Sequence, residues 1–189
     1  MKFRGRRLFV SATCLAAALT AVPSLGYPDE SPTVILRVGE RAQAGVMGSF
    51  YRWTGPVPVE GAPTGQGCGQ SHGDAFFPAY PSPRQVATGD LAVSTEFHTA
   101  EAPTEVSIRG WTKVEEDGAR RGPRAFASSL RPLEEEGNVV AWVADSTVRV
   151  RKHLYLDVYA EWAPQDEPEG CPKGLQSAFW HFHLKTGRA

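Results

Sequence analysis

Two stretches near the C-terminus alternate apolar and polar residues without a break, and a period of two is the signature of extended strands. Across 154–162, Leu154, Leu156, Val158, Ala160 and Trp162 share one face, while Tyr155, Asp157, Tyr159 and Glu161 share the other. Across 176–185, Ala178, Trp180, Phe182 and Leu184 form the apolar set, and Phe179, His181 and His183 point the opposite way. Leu91, Val93 and Phe97 supply a third core stripe. Between these runs Pro and Gly recur often enough to stop a helix from extending, and no window shows a 3.6-residue apolar period. Only 131–137 has room for a single helical turn. The expected strands are 33–38, 45–53, 91–98, 105–111, 139–144, 148–162 with a break near Lys152, and 176–185, with short edge strands at 75–87 and 124–132. Strands without helices predict an all-β fold. An antiparallel immunoglobulin-like sandwich in a single domain is expected, with a jelly roll as the alternative.

If the last two strands pair as a hairpin, one face of their sheet collects Tyr155, Tyr159, Phe179, His181 and His183. That is unusually aromatic for a solvated surface, and exposed aromatic clusters mark binding sites. This face is the candidate binding face.

The N-terminus predicts where such a domain works. Lys2, Arg4, Arg6 and Arg7 precede an apolar stretch at 8–22, followed by Pro23, Ser24, Leu25 and Gly26. This is the layout of an export signal, with small residues at the cleavage positions. The apolar stretch is shorter than the roughly 20 residues a spanning helix needs. Residues 1–26 are therefore expected to be a signal peptide and residues 27–189 the β-sandwich domain, secreted, cell-surface or periplasmic. Arg6-Arg7-Leu8-Phe9-Val10 also resembles a twin-arginine export pattern, with Gly5 where Ser or Thr is usual. Cleavage removes four positive charges and no acidic ones, taking the formal charge from −1 to −5. An acidic chain argues against nucleic-acid binding, which depends on neutralising phosphates. No later stretch is long and apolar enough to span a membrane.

Cys14 leaves with the signal, so an even pair remains, Cys68 and Cys171. In an exported chain the two are expected to form a disulfide. Both are expected in long loops, 55–74 and 163–174, which a sandwich brings to the same end.

Motifs with chemistry are few. Gly69-Gln70-Ser71-His72-Gly73 spells the nucleophile-elbow pattern, but the elbow needs a strand feeding a turn into a helix, and a loop is expected here. His181 and His183 project from one strand face, with His153 near the neighbouring strand's start, so zinc or copper is a competing expectation. Asp157 and Glu161, four apart on one strand, stand about 13 Å apart at ~3.3 Å per residue, too far for a retaining glycosidase pair. The runs Glu115-Glu116-Asp117 and Glu134-Glu135-Glu136 read as turns, and 115–124 as a polar hairpin loop. No cofactor motif is present.

At Gly45-Val46-Met47-Gly48-Ser49-Phe50-Tyr51-Arg52-Trp53, and again at 154–162, the chain resembles a loose group of small exported bacterial β-rich proteins. Members of that group often carry Cys where this chain has Arg52. The resemblance implies a β-sandwich and an extracytoplasmic compartment, and no activity. The expected role is thus a non-catalytic binding or envelope-associated module for an extracellular glycan, protein or small molecule. The competing expectations are an exported metal-binding protein and a loop-based serine hydrolase using Ser71.

Overall fold

The computed structural model describes residues 28, 30–58, 66–73, 80–163 and 171–187. The expected export signal at 1–26 and the 75–79 part of an expected edge strand lie outside these residues. Among the described residues there are fourteen strands and no helix. In chain order the first seven are β1 (Thr33–Val38), β2 (Arg41–Ala44), β3 (Val46–Pro58), β4 (Gln66–Gly73), β5 (Arg84–Val86), β6 (Gly89–His98) and β7 (Glu105–Trp111). The others are β8 (Lys113–Val114), β9 (Arg120–Arg121), β10 (Arg124–Phe126), β11 (Ser128–Glu135), β12 (Asn138–Val150), β13 (His153–Glu161) and β14 (Lys173–Thr186). One sheet runs β11-β12-β6-β1-β2 and the other β10-β7-β13-β14-β3-β4. All these pairs are antiparallel; β5 joins the end of β14 in parallel, and β8 pairs β9 as a small ribbon. The fold is an all-β sandwich in a single domain, as the alternation predicts.

The core forms where that alternation places it. In the β13–β14 hairpin Leu154 faces Leu184, Leu156 faces Phe182, Val158 faces Trp180 and Ala160 faces Ala178, and none is more than 2% exposed. Val34, Leu36, Val93 and Phe97 of the opposite sheet pack onto them. Phe97 meets Trp162 and Trp180 edge-on, at centroid distances of 6.4 and 6.0 Å, a preferred geometry for aromatic pairs. Each of the Leu, Val and Phe side chains contributes about 1.5–3 kcal/mol through burial, so this hairpin anchors the domain.

The chain crosses between sheets at tight corners. β2 passes into β3 through Gly45, where a Cβ would stand 2.7 Å from Cζ of Phe182. The expected 124–132 strand divides at Ala127 into β10 in one sheet and β11 in the other. Likewise 148–162 breaks at Arg151 and Lys152, where β12 hands over to β13.

Two expectations are corrected. Instead of a helical turn, 131–137 holds the end of β11 and a two-residue turn whose Glu136 and Gly137 have φ of 52° and 80°. Positive φ at both central residues matches the twist of the flanking strands, so hairpin wins over helix. The 55–74 segment is not one loop either: β3 runs to Pro58, and Cys68 and Ser71 lie in the edge strand β4, hydrogen-bonded along β3.

Candidate functional site

The hairpin register carries Tyr155, Asp157, Tyr159 and Glu161 opposite His183, His181, Phe179 and Ser177. The five candidate residues therefore share a face, but not as one open surface. His181 and His183 are 4% and 8% exposed, and Tyr155 is half-buried. The covering groups come from elsewhere in the chain: Tyr80 from the segment before β5, and Arg120 from the β8–β9 ribbon.

Under this cover lies a polar network centred on Asp157. Its Oδ1 accepts hydrogen bonds from the Tyr80 hydroxyl and from Nδ1 of His181, both at 2.7 Å, and its Oδ2 lies 3.0 Å from the Arg120 guanidinium. Arg120 also caps the Trp111 ring at 4.5 Å from its centroid. Burial, then the Asp157 carboxylate, pushes the Tyr80 phenol far up, so it stays a donor. Tyr80 packs edge-on against Tyr155, with centroids 5.0 Å apart, and Tyr155 stacks on His183 at 4.1 Å. Gln43 completes the tie, accepting from the His183 backbone N–H at 3.2 Å and donating to the Ser82 carbonyl at 2.7 Å. A buried carboxylate with three donors is a satisfied structural centre.

The histidines do not converge on a metal. Nδ1 of His153 and Nε2 of His183 face each other at 2.9 Å, while His181 turns to Asp157. Among the described residues no group of three or more His, Cys, Asp or Glu is placed to hold an ion. Burial, then the neighbouring His153, holds His183 down at about 4. Burial and the nearby Lys185 and Lys152 ammonium groups also lower His153.

The other half of the face is open. A groove of about 350 Å³ lies between β13, β14, β3 and β4, walled by Tyr51, Gln70, Tyr159, Glu161, Gln176 and Phe179. The Tyr159 and Phe179 rings stand 4.9 Å apart at 45°, and Tyr51, 49% exposed, stacks on His72. Tyr159 donates to Oε2 of Glu161 at 2.6 Å; burial and then this bond push its phenol up to about 12. Gln70 donates to Gln176 at 3.2 Å, linking β4 to β14 across the groove. The Cys68–Cys171 disulfide, closing 103 residues, ties β4 to the chain entering β14 and so braces this wall.

Periodicity located Tyr159 and Phe179, but Tyr51, Gln70 and the covering Tyr80 and Arg120 were missed. They come from β3, β4, the segment before β5 and the β8–β9 ribbon, and no local pattern ties them to the last hairpin. Ser71 sits within β4, extended, its hydroxyl donating to the Arg52 carbonyl at 3.5 Å. An elbow needs its nucleophile at a sharp turn, whereas Ser71 lies inside an extended strand. Comparison with protein-family models, with curated proteins and with solved structures gave no match.

Proposed function

We propose that the chain is an exported, non-catalytic binding module whose ligand seats in the groove between Tyr51, Tyr159 and Phe179. The groove itself carries the proposal: it is concave and aromatic, and polar side chains converge on it, while the Asp157, His181 and His183 half of the hairpin face is covered. Small-molecule sites have this make-up, an apolar body with a few placed polar groups. Tyr51, Tyr159 and Phe179 cluster at this one concavity, and clustered accessible aromatic surface marks binding sites. The compartment rests on the signal-like N-terminus, on the likeness to small exported bacterial β-rich proteins and on the disulfide, a bond that persists outside the reducing cytosol. No helix among the described residues is long and apolar enough to cross a membrane.

The test is an NMR titration of the isotope-labelled 27–189 domain with a panel of neutral saccharides and small organic cations. Shifts centred on the amides of Tyr159, Phe179 and Gln176, lost in Phe179→Ser with the rest of the spectrum kept, are expected. Shifts centred on another face would remove the groove from consideration.

A further inference from the structure

The groove has a charge as well as a shape. The ladder sets Glu161 of β13 directly opposite Glu105 of β7, and like charges in register on neighbouring strands repel. Among the described residues, no ion pair engages either carboxylate. The arginines that pair with acids are engaged elsewhere: Arg120 with Asp157, Arg131 with Asp145 and Arg37 with Glu96. Burial raises the Tyr159 phenol most, and the charges of Glu161 and Glu105 act in the same direction. The Glu161 carboxylate is held beside the aromatic corner by the Tyr159 hydroxyl, 2.6 Å away.

Aromatic π-faces attract cations, and a carboxylate beside them adds a full counter-charge. A neutral ligand would use the rings and could donate hydrogen bonds to the acids, but it would leave their charge uncompensated, which a cation does not. The volume, about 350 Å³, is at the small end for ligand sites, which suits a free small molecule. We infer that the groove takes a small alkylated ammonium ion, with its charge toward Glu161 and its alkyl groups against Tyr159 and Phe179. This rests on the groove being the binding site. The formal charge of −5 on the chain after the signal adds long-range attraction for such a ligand.

The experiment is calorimetric titration of the 27–189 domain with choline, with its neutral isostere 3,3-dimethylbutan-1-ol, with N-acetylglucosamine and with a pentalysine peptide. Choline is expected to bind about tenfold more tightly than the neutral isostere, with affinity falling as salt rises. Glu161→Gln, which keeps an acceptor for Tyr159, should erase that preference, and Glu105→Gln should weaken it. Phe179→Leu keeps apolar volume but loses the π-face, so it should weaken choline and spare the isostere. Thermal melts of each variant confirm folding. Equal binding of choline and its isostere, or an unchanged preference in both Glu161→Gln and Phe179→Leu, overturns the inference. N-acetylglucosamine binding that Phe179→Ser abolishes, without choline binding, sinks the cation and keeps the groove. Tighter binding of pentalysine than of choline would make a basic polypeptide the ligand and likewise overturn the small-molecule assignment. No response at the groove to any probe removes both readings.

Discussion

His181 and Asp157 face each other across the β13–β14 hairpin, Nδ1 to Oδ1 at 2.7 Å, with side chains only 5% and 4% exposed. Because the same carboxylate also receives Tyr80 and Arg120, it holds the cover over half of the sheet face. Asp157→Asn keeps the shape but removes the charge and turns a donor toward other donors. A broken buried pair costs about 3–5 kcal/mol, and the partly exposed Arg120 puts this case at the low end. Tyr80→Phe removes one bond and should cost about 1 kcal/mol. Urea unfolding at neutral pH compares them, and equal losses would show that Asp157 does not organise a network.

Gly48 lies under His181. A Cβ there would stand 2.2 Å from Nε2 of His181 and 3.0 Å from its Cδ2. His181 is pinned by Asp157 and by its tilted ring contact with Tyr80, so it has little freedom to yield. Gly48→Ala should destabilise by about 1–3 kcal/mol, the usual range for overpacking. Adding His181→Ala removes the obstacle, so the double variant should lose less than the two single losses added together. Strict additivity in chemical denaturation would place the strain elsewhere.

The strands were legible where one face is buried and the other is not. β1 and β7 begin and end where alternation places them, and the expected apolar sets of β13 and β14 are the ones that are buried. β4 was invisible because Gly67, Gly69 and Gly73 and the lack of β-branched residues contradict strand propensity. It persists because β3 and the disulfide hold it. For the site, period two fixed the side on which Tyr155, His181 and His183 lie but not what lies above them. Tyr80 is 77 residues from the carboxylate it covers, beyond the reach of any local pattern. One local clue was available: Asp157 is the lone carboxylate between Tyr155 and Tyr159 on that face, a position that needs a partner once covered.

His183 gives the domain a defined acid sensitivity. Burial and His153 hold it at about 4 in the folded chain, against 6.5 when solvated. Between these values the unfolded chain binds a proton that the folded chain does not, so stability rises with pH across the window. Full stability from this residue is present above 6.5, it falls as pH drops toward 4, and the loss levels off below that. His153 is lowered too and acts with the same sign. Tm should therefore fall between pH 7 and pH 4, and His183→Gln should shrink that fall. An identical Tm profile in the variant would rule out this residue as its source.

The disulfide should act locally as well as globally. Closing a loop of about 100 residues is worth at most about 4.7 kcal/mol in chain-entropy terms, so replacing Cys68 and Cys171 with Ser should lower stability by several kcal/mol at most. The position of the bond decides where the loss appears first. β4 is an edge strand, paired with β3 alone and rich in glycine, and beyond the ladder it is held by the Gln70–Gln176 bond and the Tyr51–His72 stack. β13 is paired on both sides over a buried core. In the double Ser variant, amide exchange in 66–73 should accelerate well before that in 153–161. The groove should then lose ligand affinity under conditions where the core still melts cooperatively. A uniform rise in exchange across both strands would mean instead that the bond acts only by constraining the unfolded chain, and that the groove wall stands without it.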